Sequence, residues 1–153
     1  MTGPLNPDRL TTATPPEAGR GGCYVSFQLT VPPSANAIWR HGRHGSWLAP
    51  SYVVWIGENM SRAGTIVPIT GPVHVESEVH GGKGWRINRD IDNTLKVQLD
   101  FLQRIKLIPS DDCRTVKSVS VRYHEPETKK SAAYVILKVW ELPAWQLVSL
   151  AIQ

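Results

Sequence analysis

The residues best suited to chemistry lie in one short window: Arg89-Asp90-Ile91-Asp92-Asn93, then Lys96, Asp100, Asp111 and Asp112. Five of the chain's thirteen carboxylates fall there. Carboxylates gathered closely repel one another, and a divalent cation resolves the repulsion. Mg²⁺ is hard, takes oxygen ligands, and binds through a few carboxylates plus water and phosphate. Such ions activate water and stabilise a leaving oxygen in phosphodiester cleavage. Lys96 follows Asp92 by four residues, so on a helix the two share a face. An ammonium there could stabilise charge on a scissile phosphate or orient the attacking water.

The same residues have plainer uses. Asp92 could cap a helix, Asp111 and Asp112 could serve a turn, and Lys96 with Asp100 could form a surface pair of small energetic worth. The surroundings favour chemistry. Lys83, Arg86, Arg89, Lys96, Arg104, Lys106, Arg114, Lys117 and Arg122 place the acids in a basic field. Acids that hold an ion and bases that hold phosphates are what a metal nuclease needs. Each phosphate neutralised steepens the salt dependence of DNA binding by about 0.9 log units.

Elements must position these groups. Cys23 to Val31 alternates as a first strand, closed by Pro32-Pro33-Ser34. A loop with Trp39, Arg40, His41, Arg43, His44 and Trp47 follows, and its arginines are expected to meet DNA backbone. Pro50 opens a helix carrying Tyr52, Val53, Ile56 and Met60. Val73, Val75 and Val79 alternate with His74, Glu76, Glu78 and His80 in a second strand. A metal pocket on that polar face is imaginable, but a solvated face is the simpler reading. Asp92 is expected to cap a second helix with Leu95, Leu99, Leu102 and Ile105 on one side, after an extended stretch that points Asp90 and Asp92 the same way. Two strands close the domain, with Val119, Val121 and Tyr123 in one and Val135, Leu137 and Val139 in the other. The turn at Glu125 to Lys130 is expected to join them as a hairpin. The order β-α-β-α-β-β predicts a single α+β domain, a mixed sheet with helices packed on it.

Size and charge bound the rest. The chain has 153 residues with 41% hydrophobic content, enough for one core. The net charge of +4 suits a polyanionic partner. Cys23 and Cys113 have no metal-ligand spacing and read as free thiols. No apolar run approaches the roughly 18 residues of a membrane span, and the N-terminus lacks a signal-peptide core. A cytoplasmic protein without membrane contact is expected. Residues 1–22 read as a flexible arm, 23–141 as the domain, and 142–153 as an apolar tail suited to docking on a second subunit.

Three ordered motifs resemble the RusA family of crossover junction endodeoxyribonucleases. Arg89-Asp90-Ile91-Asp92-Asn93 with Lys96 is similar to its R-D-x-D-N-x-x-K signature. Pro32-Pro33-Ser34-Ala35-Asn36 is similar to its P-P-S-x-N, and Leu107 to Asp112 resembles its return segment ending in D-D. The resemblance implies a Mg²⁺-dependent homodimer, with Mn²⁺ as a substitute ion, that resolves four-way (Holliday) junction DNA by paired nicks. It implies Asp90, Asp92 and Asp112 as metal-binding catalytic carboxylates and Lys96 as the catalytic lysine. Asp111 is the alternative to Asp112. Arg40, Arg43, Lys83, Arg86 and Arg89 are the expected DNA-binding residues.

Overall fold

The structure is a computed structural model, and it describes residues 24–143. The proposed arm and nearly all of the proposed tail lie outside the described residues. In chain order come β1 (Tyr24–Thr30), a short 3-10 helix (Ala35–Ala37), β2 (Trp39–Gly42), β3 (Gly45–Leu48), α1 (Pro50–Arg62), β4 (Val73–His80), α2 (Leu95–Arg104), β5 (Val116–His124) and β6 (Tyr134–Glu141). This is a single α+β domain whose helices pack against a mixed sheet, as the alternation of strand and helix patterns predicts. One piece was not foreseen. The basic loop after β1 is itself a hairpin, β2 against β3, with Gly42 facing Gly45.

The sheet runs β1-β6-β4-β5. β4 and β5 are parallel neighbours, because α2 carries the chain back to the start of the sheet. β6 is antiparallel to both of its neighbours, β1 and β4. The expected β5–β6 hairpin is therefore absent: β4 lies between those strands. A two-residue turn forces neighbours to pair, whereas the longer connection after His124 steps over β4. It is pinned in passing to the loop after β4. Lys83 N donates to Ser131 O at 2.8 Å, and Ala133 N donates to Lys83 O at 2.9 Å. Gly82 makes that approach possible. Its φ is +142°, and a Cβ there would run into the Ser131 carbonyl.

Alternation sorts the sheet into two faces. Phe27 and Leu29, Val73, Val75 and Val79, and Val135, Leu137 and Val139 are buried on one. Against them α1 turns Tyr52, Trp55 and Ile56, and α2 turns Val97, Phe101 and Leu102. Phe101 meets Phe27 and Trp55 edge-on at 5.5 and 5.9 Å, the geometry favoured by ring quadrupoles. The helical stripes agree with expectation in part, Tyr52 and Ile56 on α1 being buried. Val53 and Met60 are outward on α1, and α2 buries Val97, Gln98 and Phe101 while Leu95 and Leu99 are only half-buried. Leu102 and Ile105 of the expected α2 stripe are buried in the core, with Leu99 packed at its edge. The opposite sheet face carries the polar set His74, Glu76, Glu78 and His80 of β4, each half-buried.

Two connections place the acidic window. The loop after β4 ends in successive turns at residues 91–94, so Asp90 and Asp92 are not in an extended stretch. The N-cap of α2 is Thr94, not Asp92, and it makes no side-chain capping bond. Asp92 instead closes a turn, its carbonyl accepting from Leu95 N at 2.9 Å. After α2 the chain reverses at Lys106, which adopts φ 61°. Leu107 N then donates to Leu102 O at 3.0 Å, and the chain runs back along the helix toward Asp111.

Candidate active site

The three motifs recognised in the sequence converge. Ser34 Oγ donates to Asn93 Oδ1 at 3.0 Å, and Ala35 N donates to Asn93 O at 2.7 Å. Arg89 Nη1 donates to Pro32 O at 3.2 Å, while its guanidinium lies 5.1 Å from the centre of the Trp85 ring. The proline-rich turn after β1 is thus locked to the segment before α2. Across the other side, Lys96 Nζ reaches Asp111 Oδ2 at 2.6 Å and Asp100 Oδ1 at 2.7 Å. Tyr52 donates its hydroxyl from α1 to Asp100 Oδ2 at 3.2 Å.

The electrostatics define what each group can do. Desolvation pulls the Lys96 pKa down, but hydrogen bonds to Asp100 and Asp111 and their charges outweigh it, so it lies above its ordinary value. Lys96 is therefore an ammonium at neutral pH and no proton acceptor. Asp112 is gripped by its neighbour instead. Arg114 holds it in a two-pronged contact, Nη2 to Oδ2 at 2.6 Å and Nε to Oδ1 at 3.1 Å. Those side-chain bonds, with the Arg114 backbone N–H, hold the carboxyl down at about 2. Of the D-D pair it is Asp111 that faces Lys96, and Asp112 turns to Arg114. Asp90 and Asp92 are exposed, and among the described residues neither has an ion-pair partner. Asp90, Asp92, Asp111 and Asp112 offer the oxygen donors that Mg²⁺ prefers, but no three of them bring their carboxylate oxygens within 4.8 Å of one another.

The expected DNA-binding residues split by location. Lys83 and Arg86 are exposed on the loop between β4 and α2. Arg40 and Arg43 are exposed on the β2–β3 hairpin. Arg89 is half-buried and committed to Pro32 and Trp85.

A second cluster sits on the polar sheet face. Glu78, His80 and His124 each present a ligand atom within 4.8 Å of the others, the one such group of three among the described residues. The register sets His80 of β4 beside His124 of β5. Both Nε2 atoms are buried without a hydrogen-bond partner. Imidazole nitrogens with a carboxylate suit a transition metal such as Zn²⁺, not Mg²⁺, so this cluster is compatible with a metal site. Two features oppose occupancy as it stands. The His80 ring is stacked on both His124 and Tyr134, with centroids 4.5 Å apart, whereas ligation requires each ring to aim its nitrogen edge-on at one ion. Lys138 Nζ also lies 3.1 Å from Glu78 Oε1. Burial raises the Glu78 pKa, but the bond and charge of Lys138 outweigh it and keep the carboxylate below its ordinary value. The sequence indicated His80 with Glu78 through strand alternation. It did not indicate His124, whose place depends on the parallel pairing.

No family model matches the chain, and no curated protein matches it. Among solved structures, one chain of the HypE–HypF complex aligns over 78% of this chain, at 8% identity and a TM-score of 0.34. The chain spans about a third of that protein, 32% of its length. A likeness this slight carries no argument about function. No helix among the described residues is long and apolar enough to cross a membrane.

Proposed function

We propose that this protein is a Mg²⁺-dependent endodeoxyribonuclease of the RusA type, which resolves four-way DNA junctions by paired nicks as a homodimer. The observation that carries the reading is the convergence of three motifs far apart in sequence: Ser34 on Asn93, Arg89 on Pro32, and Lys96 on Asp111. A bound Mg²⁺ would supply a Lewis acid and an activated water for attack on phosphorus. Asp90, Asp92 and one of Asp111 and Asp112 would hold it. Lys96, a fixed cation, meets the negative charge that builds on the phosphate. Its ion pairs with Asp100 and Asp111 hold the ammonium in place before substrate arrives. Both acids of the pair are engaged, Asp111 by Lys96 and Asp112 by Arg114, each at 2.6 Å, so either must share or release its cation to hold the ion. Exposed Lys83, Arg86, Arg40 and Arg43 supply the backbone contacts.

The test is cleavage of end-labelled four-way, flap and linear DNA with Mg²⁺, by wild type and by Asp90→Asn. Symmetric nicks in the four-way junction, absent in the variant while junction binding persists, are expected. Binding without cleavage by folded wild type in Mg²⁺ and in Mn²⁺ overturns the enzyme reading. Preference for flaps moves it to another nuclease class. A monomer by sedimentation at micromolar concentration removes the paired-nick mechanism.

A further inference from the structure

The β2–β3 hairpin has features that backbone binding by its arginines does not explain. All four residues of β2 are exposed, and Trp39 and Trp47 remain 53% and 51% exposed. Two large apolar rings left in water on a basic ribbon cost free energy unless a partner covers them. The rings are not equivalent. Pairing places Trp39 opposite Leu48 and Arg40 opposite Trp47, so the tryptophans project from opposite faces of the ribbon. Trp47 lies over the backbone of Gly42, so closely that a Cβ there would clash with its ring. It already has a structural occupant.

Trp39, on the face it shares with Leu48, borders a cleft of about 300 Å³. Ile38, Leu48 and Tyr52 form the apolar part of that cleft, and Arg104 from α2 supplies a cation beside Lys96, which is itself paired with Asp100 and Asp111. Asp100, its acid, is already held by Lys96 and Tyr52. An aromatic wall, an apolar floor and a cationic rim are the chemistry that takes a nucleobase on its π-face and the adjoining phosphate on its charges. The hairpin tip adds Arg40 and Arg43 outside the cleft.

We infer that this cleft binds one unpaired DNA base, stacked on Trp39, beside the cleavage site that Lys96 serves. The inference rests on the nuclease reading and adds how the substrate is held: a base must leave the duplex stack to fill the cleft, so strand-crossing points, where pairing is weakest, are selected.

The test separates stacking from charge and from cleavage. Binding is measured by anisotropy in EDTA with a short oligothymidylate and with an abasic oligomer of equal length and charge. Base–aromatic stacking implies that wild type prefers the thymidylate by about 5- to 150-fold. Trp39→Ala, with an unchanged circular dichroism spectrum, should bind the two probes equally, and Trp39→Phe should recover part of the preference. Arg40→Ala with Arg43→Ala should weaken both probes alike and flatten their salt dependence. Equal affinity of wild type for the two probes, or a preference that survives in Trp39→Ala, overturns the inference. Junction cleavage by wild type without any base preference removes this inference and leaves the nuclease standing. A base preference lost with Trp39, in a protein that cuts no junction, upholds the cleft and removes the nuclease.

Discussion

Replacing Lys96 with methionine removes a cation and keeps most of the side chain's length. In the folded protein two carboxylate oxygens, Asp100 Oδ1 and Asp111 Oδ2, each lie within 2.7 Å of the ammonium. They are therefore separated by about 5 Å at most, the two contacts laid end to end. At about 5 Å two like charges repel by about 0.8 kcal/mol in water and about 3 kcal/mol at an effective dielectric constant of 20. The two carboxylates are 18% and 29% exposed, so the repulsion falls within that range and not at its fully screened end. Lys96→Met should therefore lose about 1 to 3 kcal/mol of stability, which a domain of ordinary stability survives. Its catalytic loss should be larger. Deleting a preorganised group that stabilises transition-state charge costs about 100- to 1000-fold in rate. Single-turnover cleavage of a labelled four-way junction at saturating enzyme, beside a urea melt, separates the two effects. A variant that cuts within tenfold of wild type refutes the role given to Lys96. A variant that is unfolded under assay conditions refutes the estimate of its surroundings.

Lys106 holds φ 61° at the end of α2, which costs a side-chain-bearing residue about 1 kcal/mol and glycine almost nothing. Lys106→Gly should therefore raise the urea midpoint, and a lowered midpoint contradicts this. Arg114→Ala should return the Asp112 carboxyl from about 2 toward the 3.8 of an unpaired Asp, read by carbon NMR titration. Because the folded value is depressed, the stabilisation this pair gives is present above pH 3.8 and disappears as pH falls through 2. The His80 pKa is lowered from its ordinary 6.5, first by desolvation and then by the charge of His124. A depressed histidine contributes stability that is complete above 6.5 and is lost as pH falls through its folded value. Acid melts should show less of that loss in His80→Phe, which keeps a ring to stack on Tyr134; an identical acid profile argues against the assignment.

Much of this was legible from residue order. Period-two alternation revealed the inward valines of β4 and β6, and Pro50 marked the start of α1. What failed did so where distant parts of the chain decide. The Val97 and Phe101 side of α2 is fixed by Phe101 fitting between Phe27 and Trp55, which no local pattern reports. The pairing of β5 with β4 follows from where α2 returns the chain, so the hairpin inferred from the nearby turn did not form. Gly42 and Gly45 bracket a two-residue tip that signals a hairpin, but the flanking arginines and histidines masked it as loop. In the candidate site the residue types and motif order were visible. The partners were not. Lys96 chooses Asp111 because Arg114, two residues on from Asp112, captures the other carboxylate.

The proposed nuclease needs a metal at the acidic segment beside Lys96, and the competing site is Glu78 with His80 and His124. Paramagnetic Mn²⁺, titrated into isotope-labelled protein, locates the ion by broadening the amide resonances near it. Selective broadening at residues 90–96 and 110–112, reversed by excess Mg²⁺ and abolished in Asp90→Asn, is expected. Broadening centred on Glu78, His80 and His124, with the acidic segment unaffected, contradicts it.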